Sequence, residues 1–228
     1  MKQGYTALIY GNSGSGKTYN SIRIPGKKIL LSSDCSYNFA AKGVKDLEIV
    51  DITRWLPDKD GDEKCFSELF DAAAVKKPDI IIVDNLSDLI DMAVLELIAS
   101  EGSSKDNRQS YNIVYQSIRR LVRAANHVGC HVVFTCWMDV TELTLPDGTV
   151  VQRFAPKLPA KILDNVCGLC NVVACIGQQE RNGKPVWYYN MCGTPTVMAK
   201  DQVWGRKVCM PSQLFTAPTP ATNKKEQK

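Results

Sequence analysis

Gly11-Asn12-Ser13-Gly14-Ser15-Gly16-Lys17-Thr18 is the stretch whose reading decides the fold. It satisfies G-x-x-x-x-G-K-[ST] at every position. It follows the β-rich run Tyr5 to Tyr10 and opens a segment, Lys17 to Arg23, that can start a helix and is stopped by Pro25 and Gly26. Strand, glycine loop and helix make up the setting in which this pattern holds phosphate. The glycines let the backbone wrap tightly, so successive N–H groups from Gly11 to Gly16 and the start of the helix face the anion. Lys17 is then placed to neutralise the β- and γ-phosphates, and Thr18 to offer its hydroxyl to Mg²⁺. The expected substrate is ATP with Mg²⁺. The loop reads phosphates and not the base, so GTP stays open.

Outward from the loop, Lys28 to Ser33 and Leu47 to Ile52 read as short apolar strands covered on both faces, the signature of a parallel sheet. A charged turn at 58 to 64 precedes a helix from Phe66 to Val75. The most hydrophobic strand follows at Asp79 to Asp84 (DIIIVD). A P-loop needs a second acidic partner for its magnesium at the end of a neighbouring apolar strand, and Asp84 supplies it. The other use of that position is to cap the next helix, a job also open to Asn85 and Ser87. The acid ending the strand after the P-loop helix is Asp34, the candidate base for orienting water, although a turn acid fits the same sequence. Thr135 and Trp137 end the next core strand, where a polar residue could sense the γ-phosphate.

From Ser87 an apolar stripe marks a helix, and the polar run Ser100 to Ser110 reads as a mobile loop. A second helix is expected from Tyr111 to His127, then a strand at His131 to Trp137 and a β-hairpin over 141 to 154 around Asp147-Gly148. A helix within 156 to 166 and strands at 170 to 176 and 186 to 191 complete the pattern. The fold class is therefore α/β: a P-loop domain over residues 1–210 with a mainly parallel central sheet flanked by helices, plus the hairpin. Residues 211–228 are poor in large apolar side chains and rich in Pro, Thr and Lys, so a disordered basic tail is expected there.

Composition narrows the class further. The chain has 228 residues, 44% hydrophobic and 23% charged, enough for one good core. It shows neither a signal peptide at its start nor a run near the roughly 20 apolar residues of a membrane span, so a cytoplasmic protein is expected. Of the nine cysteines, Cys167 and Cys170 form a CxxC. Its position in an apolar run favours core packing over zinc. Net charge is 28 minus 24, or +4, and 211–228 contributes +2 of it, so bulk charge alone does not establish nucleic-acid binding.

Together the N-terminal GNSGSGKT, the strand closing in Asp84-Asn85, HVVFT at 131 to 135, PKLPAKILDNV and VMAKDQ are similar to the RecA-like phage P-loop ATPases of the AAA_24 or phage nucleotide-binding type, related to single-strand annealing ATPases. The resemblance spans roughly residues 4 to 206. It implies a RecA-like sheet, Lys17 and Thr18 on Mg-ATP, Asp84 near magnesium and Asp34 as the catalytic acid. It further implies that Lys200 reaches the γ-phosphate of a neighbouring subunit in a ring or filament. Gln202 stands where this family often has arginine, Asp34 where RecA has a longer glutamate, and Trp137 where a histidine is expected.

The function so implied is an ATPase of phage-type DNA recombination, phage-encoded and at work in the cytoplasm of the bacterial host. It would bind single-stranded DNA as a homo-oligomer and meet phage or host recombination and replication proteins. Lys105 and Arg108 in the polar loop and Arg153 in the hairpin are the DNA candidates. For Arg119, Arg120 and Arg123 a solvated or subunit-contacting helix face is the favoured reading over phosphate contact. Two other classes stay open: a nucleotide-gated interaction protein with little turnover, and a small P-loop phosphotransferase, against which the absence of a lid with paired arginines speaks.

Overall fold

The computed structural model describes residues 4–58, 63–101 and 107–218. The elements run β1 (Thr6–Gly11), α1 (Lys17–Ser21), β2 (Lys28–Ser32), β3 (Leu47–Asp51), α2 (Phe66–Val75), β4 (Ile80–Asp84), α3 (Leu86–Glu101) and α4 (Asn107–Ala125). They continue with β5 (His131–Thr144), β6 (Val150–Pro156), α5 (Ala160–Leu169), β7 (Val172–Arg181), β8 (Lys184–Asn190), β9 (Lys200–Asp201), β10 (Val208–Cys209) and a 3₁₀ turn at Pro211–Gln213.

The main sheet is ordered β10-β8-β7-β1-β5-β4-β2-β3. From β7 to β3 every neighbouring pair is parallel, whereas β8 and β10 close one side antiparallel. One strand, β5, stands between the P-loop strand and the Asp84 strand, which is the RecA-like layout the resemblance implies.

Both faces of the sheet are covered, as the continuous apolar strands require. Alternation along β1 sends Leu8 and Tyr10 to one face, with α2, α3, α4 and α5, and Ala7 and Ile9 to the other, with Ile22, Ile24 and Leu214. Helix α4 docks through Val114, Ile118, Val122 and Ala125, a buried stripe at helical spacing.

Four departures from the sequence reading have physical causes. Helix α1 is short, ending at Ser21 and passing through a turn to the buried Ile22 and Ile24. Helices α3 and α4 extend into the polar run, α4 seating the buried Ser110 in its first turns; within that run only 102–106, with Lys105, lie outside the described residues. Strand β5 does not stop at Trp137 but continues through Thr144 to form the hairpin with β6.

The boundary expected at 211 is also displaced. Pro211 and Leu214 are buried, Phe215 stacks on His131 at 4.0 Å, and Arg206 donates to the carbonyls of Gln213, Leu214 and Thr216. That arginine is itself held by Asp201, Nε to Oδ2 at 2.6 Å, in a pair almost wholly out of water. Composition cannot reveal a single anchoring leucine, so the segment through Ser212 to Thr216 belongs to the folded body; 219–228 lie outside the described residues. Among the described residues no helix is long and apolar enough to cross a membrane.

Candidate nucleotide-binding site

The loop between β1 and α1 sits at the carboxyl end of the parallel strands, where such sheets bind their ligands. Gly16 is the N-cap of α1 in the left-handed region at φ 89°, and a Cβ there would stand 2.8 Å from the Trp187 indole nitrogen, so only glycine fits. Lys17 is buried, and its Nζ donates to the carbonyls of Gly11 and Asn12, each at 2.9 Å. Burial lowers its pKa below the usual lysine range, against the opposing pull of Asp84, Cys136 and Asp34. A triphosphate in the loop would restore the ammonium's preference for charge.

Asp84 ends β4 and is 1% exposed. The Thr135 hydroxyl from β5 hydrogen-bonds its Oδ1, while among the described residues no donor meets the buried Oδ2 in good hydrogen-bond geometry. Burial pushes its pKa up; the Thr135 and Thr18 hydroxyls and Lys17 pull it down, and Asp34 adds to the rise. Capping, the competing role for Asp84, falls to its neighbour: Asn85 Oδ1 accepts from the Asp88 N–H at 2.8 Å. The Asp84–Asn85 peptide is cis.

The other end of the Asn85 amide donates to Asp34 Oδ2 at 2.8 Å, and Asp34 Oδ1 accepts from the Ser36 N–H at 3.0 Å. Asp34 is thereby turned into the cleft beside Lys17, Thr18 and Asp84, in a cavity of about 310 Å³ whose far wall is Trp137 and whose rim carries the exposed Phe39. Lys157 lies 5.2 Å over the Trp137 ring, and its carbonyl is held by Ser87 Oγ. Thr135 therefore positions Asp84, and Trp137 walls the cleft.

Sequence reasoning missed Asn85 as an orienting group, Ser87 as the hydroxyl that holds the Lys157 carbonyl and the Trp137 N–H, and Trp187 behind Gly16. The first is legible as an amide beside the strand-end acid. For the other two nothing local connects residues 87 and 157, or 16 and 187.

The donor set fits a magnesium ion. Asp84 brings a buried oxygen that no donor meets in good geometry among the described residues, Thr18 a hydroxyl at its usual place after the lysine, and Asp34 a second carboxylate; these are hard oxygens of the kind Mg²⁺ prefers.

Lys200 is not brought to this cleft. It pairs with Val173 of β7, which lies beside Leu8 of β1, three residues or roughly 10 Å of strand before Gly11. Its Nζ donates to Gly168 O and Gln202 Oε1, both at 3.0 Å. Arg153 stands on β6 opposite Thr141, in a hairpin whose Asp139, Glu142 and Asp147 outnumber it, and Arg108 is exposed in the first turn of α4. Cys167 and Cys170 lie in the main core, their thiols pushed up by burial, Cys167 to about 12. Among the described residues no group of three or more His, Cys, Asp or Glu could hold a metal ion.

A phosphate loop, a buried strand-end aspartate and an interposed strand define a P-loop nucleoside triphosphatase. The chain belongs to AAA_24, an AAA domain family, whose model matches residues 3–203. No curated protein matches it by sequence. Solved structures similar to it include the flagellar accessory protein FlaH from Methanocaldococcus jannaschii, at 13% identity and TM-score 0.46, covering 91% of this chain and 84% of that one. A KaiC-like protein from Pyrococcus horikoshii is similar at 14% identity and TM-score 0.45, covering 82% and 77%.

Proposed function

We propose that this ATPase acts in DNA recombination of the phage type, binding single-stranded DNA as a homo-oligomer whose subunit contacts are completed by Mg-ATP, in the cytoplasm of a bacterial host and beside recombination or replication proteins. The observation that carries the assembly is the distance of Lys200 from its own P-loop; to reach a neighbour's nucleotide its ammonium would exchange the Gly168 and Gln202 oxygens for phosphate. Support for turnover comes from Asp34, aimed by Asn85 into the cleft that holds Lys17, Thr18 and Asp84.

In this reading the Gly11–Gly16 backbone and Lys17 bind the phosphates, and Asp34 accepts the proton of the attacking water. Thr18 and Asp84 would hold magnesium, which would supply neutralisation of phosphate charge. Asn85 keeps Asp34 in place through the step. Lys200 of one subunit stabilises charge on the phosphate held by the next.

Phosphate release from Mg-ATP with and without single-stranded DNA tests this, with Lys17→Ala as the control. DNA stimulation lost in Lys17→Ala supports the reading; unstimulated release counts against it. The second reading, a nucleotide-gated adaptor, is favoured by the short Asp34 and by Gln202, whose amide oxygen occupies Lys200. Nucleotide-dependent assembly without phosphate release, DNA present, would select it.

A further inference from the structure

Helix α4 holds four arginines, Arg108, Arg119, Arg120 and Arg123, and no acidic residue in its 19 positions. That +4 equals the formal net charge of the whole chain. Arg119 and Arg123 are four residues apart on one helix face, a repulsive arrangement that a solvated helix normally relieves with interleaved acids. Among the described residues none of Arg119, Arg120 and Arg123 forms an ion pair; Arg119 Nε makes a long contact to the Tyr115 carbonyl at 3.4 Å.

These side chains are gathered, not scattered. With Gln116 and with Asn165 and Leu169 of α5 they line a groove of about 290 Å³ in which every polar side chain can donate hydrogen bonds. On the other side of α4 lies a second concavity, about 430 Å³ and mostly apolar, walled by Trp55, Phe70, Leu121, Ala124 and Val128, with Asp71 the acid on its lining. Arg120 borders both.

Trp55 is a fixed platform. Its ring stacks on Phe66 at 5.5 Å and 8°, and the Glu96 carboxylate accepts from the N–H groups of Trp55 and Leu56, which occupies that acid with backbone.

We infer that the α4 surface is a binding site for single-stranded nucleic acid, with the phosphodiester backbone along the Arg119–Arg120–Arg123 groove and a base in the apolar concavity at Trp55. A charged track beside an aromatic platform is what an unpaired strand recognises: phosphates give affinity and an exposed base face gives stacking. A duplex keeps its bases stacked and offers the pocket nothing. The site deepens the DNA-binding reading above, rests on it, and lies outside the hairpin and the polar loop.

The test is fluorescence anisotropy of a labelled oligothymidylate over a salt series, using the full chain. The triple variant R119A/R120A/R123A is expected to weaken binding at least tenfold and to flatten the slope of log K against log salt by about 2, three contacts at roughly 0.7 each. R119K/R120K/R123K keeps the charge and should retain most of the affinity. W55L should weaken the single strand several-fold and leave duplex binding unmoved. Circular dichroism melts of each variant separate lost binding from lost fold.

If the wild type binds oligothymidylate and the arginine variant binds equally well, this site is wrong while the DNA reading stands. If the wild type binds no oligothymidylate, both fall. If the arginine variant loses oligothymidylate and poly-L-glutamate alike and W55L loses neither, the groove takes acidic protein and the nucleic-acid assignment is overturned.

Discussion

At the level of single residues, the site holds its charges at a thermodynamic disadvantage. Asp84 has a raised pKa, so folding favours its protonated form, and the strain it adds is absent below the ordinary carboxylate range and grows as pH rises above it. Among the described residues no donor meets its Oδ2 in good geometry. Asp84→Asn keeps an acceptor for Thr135 and removes the buried charge. It should therefore raise the melting temperature at pH 7 without Mg-ATP, by a few degrees for about 1 kcal/mol. The same variant should lose turnover roughly a hundredfold or more. A calorimetric scan paired with phosphate release checks both; a lowered melting point would refute the electrostatic account. Asp84 and Lys17 were legible in the sequence because a strand end and a loop are local patterns. The partnership of Thr135 with Asp84 was not, since it joins residues 51 apart through strand order.

Among elements, α3 shows one side chain serving two structures. Asn85 caps the helix with its oxygen and holds Asp34 with its nitrogen. Asn85→Ala should lower stability by about 1 kcal/mol, as N-cap loss does, and also lower kcat while leaving KM for ATP near the wild-type value. Denaturant melts and steady-state kinetics together decide: a purely structural cap would move the first and spare the second. The sequence offered Asp84, Asn85 and Ser87 as competing caps. The choice depended on which of them pointed inward, and that is set by how β4 seats beside β2 and β5 rather than by local pattern. Strand lengths were misread for a similar reason. Trp137 looked like an end because apolar character fades there, yet β5 continues on pairing with β6 alone.

For the whole molecule, the carboxyl-terminal segment is fastened from within by Arg206 and Asp201. Burial alone would raise the Asp201 pKa, but the Arg206 bond and the N–H groups of Trp204 and Val203 outweigh it and hold the group below the carboxylate range. The stability it lends is thus present above its unfolded pKa of about 4 and is lost as pH falls through the depressed folded value. Asp201→Asn should destabilise by about 3 kcal/mol at pH 7, with the gap to wild type closing as the pH is taken toward 2. Leu214→Ala should lose roughly 2–4 kcal/mol for a side chain with no exposure, an outcome that a loose tail would not give. Composition put the folded limit at 211 because one leucine and one arginine, fastened across long separations, leave no periodic trace.

Strand β5 runs 14 residues without a break, its first half clamped in the sheet and its second half standing out as the hairpin. Mechanically it is a cantilever. From Trp137 at the level of Gly11 to Thr144 near the tip is about 23 Å of strand, and no loop is interposed to absorb bending. One unbroken strand thus joins the Asp147-Gly148 turn to Trp137 in the lining of the phosphate cleft and to Thr135, the threonine that holds Asp84.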